Sequence, residues 1–216
     1  MPSFKTIFTL IFWLILQCGK SQCPGPSGGA SNCDPLLSEI RMNTPNMVDF
    51  TFDSFSKING GMEIFGSTQI KIITVNNPAL TCKWNLIMYV FNSGIPTPAN
   101  AFDNLAQYGN GSGQLPTLNY IQVRVTNICG TPVNNGVWQT FAASSGSALD
   151  IINNIVLTAA GNCNTSKVNT AGSYLTNPGE YTFIIDYKIL PAAGIPAFPL
   201  TPGRYSANIK FCLSEM

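Results

Sequence analysis

From Val48 to Ser214 the chain reads as short runs of alternating apolar and polar residues. In VDFTF, Val48, Phe50 and Phe52 share one phase, and STQIKIITV (67–75) is rich in β-branched residues. CKWNLIMYVF is the longest run. It places Trp84, Leu86, Met88 and Val90 on one phase and Ile87, Tyr89 and Phe91 on the other, which predicts a strand covered on both sides in its second half. LNYIQVRVTNIC sets Ile121, Val123 and Val125 together. YTFIIDYKI does the same for Tyr181, Phe183, Ile185, Tyr187 and Ile189, with Thr182, Asp186 and Lys188 on the outer phase. In the last run Tyr205, Ala207, Ile209, Phe211 and Leu213 alternate with Ser206, Asn208, Lys210, Cys212 and Ser214. Period two is the mark of a strand with one dry face and one wet face.

Turn signals separate the runs: INGG at 58–61, NNP at 76–78, the Gly-, Asn- and Pro-rich connection 92–116, and the Pro-punctuated segment 191–203. LDIINNIVLTA fits either a short helix or one or two strands. The pattern predicts an all-β fold, an antiparallel Ig-like β-sandwich of about seven strands over residues 48–216. The last run is expected to pair with YTFIIDYKI.

Upstream the alternation stops. Lys5, the apolar stretch Ile7–Leu16 and the small residues Gly19 and Ser21 fit a secretory signal peptide over 1–21. A signal anchor or lipid attachment at Cys18 or Cys23 fits less well. The apolar stretch is short of the roughly 20 residues a spanning helix needs, and no transmembrane segment is expected in the mature chain. Residues 22–47 read as an N-terminal arm. CPGPSGGASNC closes an irregular loop, and DPLLSEIRM forms either a helical turn or an extended piece.

Secretion changes the meaning of the cysteines. Of seven, Cys23, Cys33, Cys82, Cys129, Cys163 and Cys212 remain in the mature chain, an even set that predicts disulfides. Strand ends suggest Cys82–Cys129. The expected pairing of the last run with YTFIIDYKI suggests Cys163–Cys212, with Cys212 on the outward phase. Cys23–Cys33 remains as the local pair.

Charge and chemistry remove more than they add. With Lys5 and Lys20 gone, nine basic residues face ten acidic ones, a formal balance of −1. That gives no field for nucleic acid. The chain has no histidine, which excludes Ser-His, Cys-His and His-ligated metal mechanisms within it. No cofactor or metal site is expected, and no catalytic residue. Asp49 and Asp53 share a strand face and are the one carboxylate pair to weigh for a hydrolase, against a plain solvated face. GNGSG (109–113) lacks the Lys and Ser/Thr of a phosphate loop. Asn110 and Asn164 head glycosylation sequons. Asp186, Lys188 and Arg124 read as surface pairs. Trp138, in NNGVWQTF, either packs at the end of the sandwich or offers a sugar-stacking platform. Phe198, in the Pro-stiffened PAFPLTPG, suits a recognition tip or a sheet-edge cover.

VDFTFDSFSKINGGMEI with the following STQIKI and KWNL resembles the opening of secreted and surface β-sandwich proteins of Bacteroidota. NICGTPVNNG, GEYTFIIDYKI and TPGRYSANIKFCL resemble later parts of the same pattern. The ending is similar to pilin-like and spore-coat-U-like domains, which finish on a PG-x-Y strand. The resemblance implies a pilin-like, extracytoplasmic structural or adhesive role and carries no catalytic residue across. The expectation is therefore a non-enzymatic secreted or cell-surface component that binds protein partners or self-assembles, at the outer surface or in the periplasm. The alternative is a carbohydrate-binding module with a glycan ligand.

Overall fold

The computed structural model describes residues 39–45, 48, 50, 61–73, 84–107, 115–127, 136–152, 179, 181–189 and 203–215. Their regular structure is mostly antiparallel β-sheet, with a 3-10 turn at Leu118–Tyr120. The strands are β1 (Glu39–Met42), β2 (Met62–Ile73), β3 (Trp84–Phe91), β4 (Asp103–Gln107), β5 (Ile121–Asn127), β6 (Trp138–Thr140), β7 (Ser147–Asp150), β8 (Thr182–Ile189), β9 (Gly203–Ser206) and β10 (Asn208–Glu215). The expected count of about seven is exceeded because β1, β6, β7 and β9 are only three or four residues long. Such pieces are too short to show alternation.

The strands form a five-stranded sheet in the order β1-β2-β8-β5-β6, a three-stranded sheet in the order β10-β3-β7, and a β4-β9 ribbon. The inner phases are those the alternation marks. Trp84, Leu86, Met88 and Val90 of β3 are buried, as are Val123 and Val125 of β5 and Phe183 and Ile185 of β8. Ile70 and Ile72 of β2 join them in one hydrophobic cluster fed by both larger sheets. Val48 and Phe50 pack against it. Each such side chain contributes about 1.5–3 kcal/mol by leaving water. Burial on this phase is what fixes each strand's register.

One pairing expectation is corrected. The last run is not one strand beside YTFIIDYKI. It divides at Ala207, so that β9 pairs with β4 and β10 pairs with β3 along its whole length, from Asn208↔Phe91 to Glu215↔Trp84. β8 instead lies between β2 and β5. Alternation assigns faces but does not choose neighbours. Cys212 keeps the phase that the alternation gives it. It sits opposite the phase of Phe211 and Leu213, yet it is only 1% exposed. The geometric argument for Cys163–Cys212 loses its premise, since β10 is not beside β8. Cys23, Cys33, Cys82, Cys129 and Cys163 lie outside the described residues, as does the expected signal peptide over 1–21. Part of the 22–47 arm is strand: β1 pairs antiparallel with β2, with Arg41 opposite Lys71.

Candidate functional site

The outer face of the five-stranded sheet carries the most organised set of polar side chains. Inner residues of β5 and β8 alternate with Gln122, Arg124, Asp186 and Lys188, so these four must point away from the core. Register brings them into two rungs that cross β2, β8, β5 and β6. In the first, Glu63 faces Lys188, Lys188 faces Gln122, and Gln122 faces Thr140. Lys188 Nζ lies 2.6 Å from Glu63 Oε1, and Gln122 Nε2 donates to Thr140 Oγ1 at 2.9 Å.

The second rung is built on a bulge. The pairing of β2 with β8 passes from Ile64↔Tyr187 to Thr68↔Ile185, so Phe65, Gly66 and Ser67 together oppose Asp186. Gly66 takes φ +62, a conformation that costs a side-chain-bearing residue steric strain, and its N–H donates to Asp186 Oδ1 at 2.6 Å. The carboxylate thus replaces a ladder bond that the bulge removes. Its second oxygen, Oδ2, accepts from Arg124 Nε at 2.9 Å and Nη2 at 2.7 Å. The Asp186 side chain is 7% exposed, so this is a nearly buried ion pair and not the loose surface pair that the sequence suggests.

Aromatic rings flank the cations. Arg124 Cζ lies 5.5 Å from the Phe65 ring centroid and 5.1 Å from that of Trp138, and Lys188 Nζ is 5.5 Å from Trp138. These are cation–π distances. Phe65 is 61% exposed, and Trp138 is half-buried on this outer face, outside the core cluster. The core reading of Trp138 is therefore replaced by a surface one. β6 reaches β5 through Gly136, where an added Cβ would overlap the Val125 carbonyl oxygen.

In the sequence Trp138 stands out, while Arg124, Asp186 and Lys188 read as surface pairs. Nothing there marks Glu63 or Phe65, although Gly66, a glycine inside an alternating strand, is a bulge signal. Phe198, Asp49, Asp53, Asn110 and Asn164 lie outside the described residues. Among the described residues no group of three or more His, Cys, Asp or Glu side chains is placed to hold a metal ion, and no helix is long and apolar enough to cross a membrane.

A second polar cluster organises the start of the 92–116 connection. Asn92 Nδ2 donates to the carbonyls of Pro98 and Ala101 at 2.8 and 2.9 Å. Asp103 accepts from the Ser93 N–H, from Ser93 Oγ at 2.6 Å and from Thr97 Oγ1 at 2.9 Å. The loop they shape carries Ile95 fully exposed. Burial of Asp103 alone would raise its pKa, but the Ser93 and Thr97 hydrogen bonds to the ionised form outweigh it and hold the carboxyl below its usual value. The folded-state pKa is depressed. The stability it contributes is therefore present above the unfolded value, about 3.9, and is lost as pH falls through the folded one. Asp103→Ala is expected to cost about 2 kcal/mol at neutral pH. It should also abolish hydrogen-exchange protection of the Ser93 amide. Unchanged protection would show that Asp103 does not hold the loop.

No protein-family model matches this sequence, and no curated protein matches it.

Proposed function

We propose that this chain is a non-enzymatic secreted or cell-surface structural or adhesive component that binds or assembles with partners, built as a disulfide-stapled, pilin-like β-sandwich. The observation that carries the reading is Phe65. A large apolar ring stands 61% exposed on a bulge that a nearly buried carboxylate stabilises. Exposure of this kind, maintained by dedicated hydrogen bonds, favours a contact surface over a random surface apolar residue. The resemblance to Bacteroidota surface proteins and to pilin-like domains supports the same role, and the signal-peptide pattern supports delivery outside the cytoplasm. Light scattering on the purified mature chain tests it. Concentration-dependent association that weakens in Phe65→Ser is expected. A strictly monomeric protein that also fails to stay on the surface of its own cells would overturn it.

A carbohydrate-binding module is the second reading. It is favoured by the placement of Trp138 on an outer sheet face beside Arg124 and Lys188.

A further inference from the structure

We infer that the face bearing Phe65, Arg124 and Trp138 binds an uncharged glycan chain, its sugar rings lying on the two aromatic side chains. The inference rests on the reading of this face as a contact surface and names the ligand class it takes.

Charge is the first argument. Arg124 is matched by Asp186 and Lys188 by Glu63, so two cations and two anions cancel within the patch. An anionic polymer meets no net positive field here, and a cationic one no net negative field. The second argument is the hydrogen-bonding inventory. A guanidinium has five N–H donors and an ammonium three. Asp186 engages only Arg124 Nε and Nη2, so donors remain for hydroxyl oxygens. Gln122 and Thr140 add an amide and a hydroxyl at the β6 edge. A dense mixture of donors and acceptors with no net charge suits a polyhydroxylated, neutral ligand.

Ring placement is the third. Phe65 and Trp138 approach the same guanidinium from β2 and β6, which lie on opposite sides of the β8-β5 pair. The apolar C–H faces of pyranose rings pack on aromatic surfaces, and a chain running across the strands meets both rings in turn. The sheet supplies a rigid base. The bulge that lifts Phe65 is fixed by the Gly66 N–H bond to Asp186, and Asp186 in turn orients Arg124. The ligand therefore meets side chains that are already in place, which lowers the entropic cost of binding.

Depletion of the mature protein by insoluble cellulose, xylan and β-1,3-glucan tests the inference, with polygalacturonate and heparin resins as anionic controls. Each is measured at about 50 mM and about 500 mM salt, where exposed charge interactions differ strongly. Retention on at least one neutral polymer, insensitive to salt, is expected. Phe65→Ala should weaken it about tenfold, a loss of about 1.4 kcal/mol. Phe65→Trp should keep it. Phe65 is exposed, so both variants are expected to fold, and thermal melts verify this. The inference is overturned by absence of binding to every neutral polymer, by retention only on anionic resins with loss in salt, or by equal binding of wild type and Phe65→Ala. Light scattering on the same samples separates the two readings. A chain that associates with itself but binds no neutral glycan removes the glycan site and leaves the adhesive role standing.

Discussion

Asp186→Ala is expected to destabilise the protein by about 3 kcal/mol, the lower end of the range for removing one partner of a buried ion pair. The lower end applies because Arg124 keeps 27% of its side chain in water while Asp186 keeps 7%. The loss has two sources. The Arg124 guanidinium loses both of its bonds to Oδ2, and the Gly66 N–H loses its acceptor on the bulge. Urea unfolding of the purified protein measures it, as a shift of midpoint at constant slope. Arg124→Met alone should cost less, since Asp186 keeps the Gly66 bond, and the double variant should cost less than the sum of the singles. A loss below about 1 kcal/mol for Asp186→Ala would place the pair among ordinary surface salt bridges.

Gly136→Ala is the second large effect. The new Cβ would overlap the Val125 carbonyl oxygen and lie 2.7 Å from Arg124 Cγ and 2.9 Å from Thr126 Cγ2. The first of these is backbone of a strand paired with β8, and it cannot give way without breaking ladder bonds. The chain before β6 must therefore move off β5. Overpacking of this kind costs about 1–3 kcal/mol or more, and the closeness of the contact argues for about 3. Trp138 starts β6 just two residues on, so its ring should draw away from Arg124. In a Trp84→Phe background lacking residues 1–21, which removes Trp13 as well, the fluorescence of Trp138 should shift as the indole changes surroundings. An unmoved spectrum with wild-type stability would refute the close approach.

The faces of β3, β5 and β8 were legible because burial imposes period two on every residue of a core strand. Partners were not, because the same alternation satisfies any antiparallel neighbour. YTFIIDYKI and the last run match each other as well in pattern as either matches its actual partner. The break at Ala207 left no mark, since an alanine at a corner continues the alternation. Cys212 followed the polar phase in sequence while being buried in space. A phase opposite the core is wet only if nothing lies over it. The candidate face was half visible. Arg124 and Asp186 stood on outer phases of two core strands, but their pairing needed β5 beside β8, and the bulge at Phe65–Ser67 was a matter of register between β2 and β8.

The pairing of β10 with β3 bears on how the chain reaches this state. Asn208 meets Phe91 and Glu215 meets Trp84, residues roughly 120 positions apart on average, and such remote pairing is slow to form because a long loop must close first. Until β10 arrives, one edge of β3 lacks its partner and the sheet that bears Leu86, Met88 and Val90 is incomplete. A nascent chain therefore cannot finish this sheet until residue 215 is clear of the ribosome. The edge of β3 and the apolar residues it carries stay open to other chains for all of that interval.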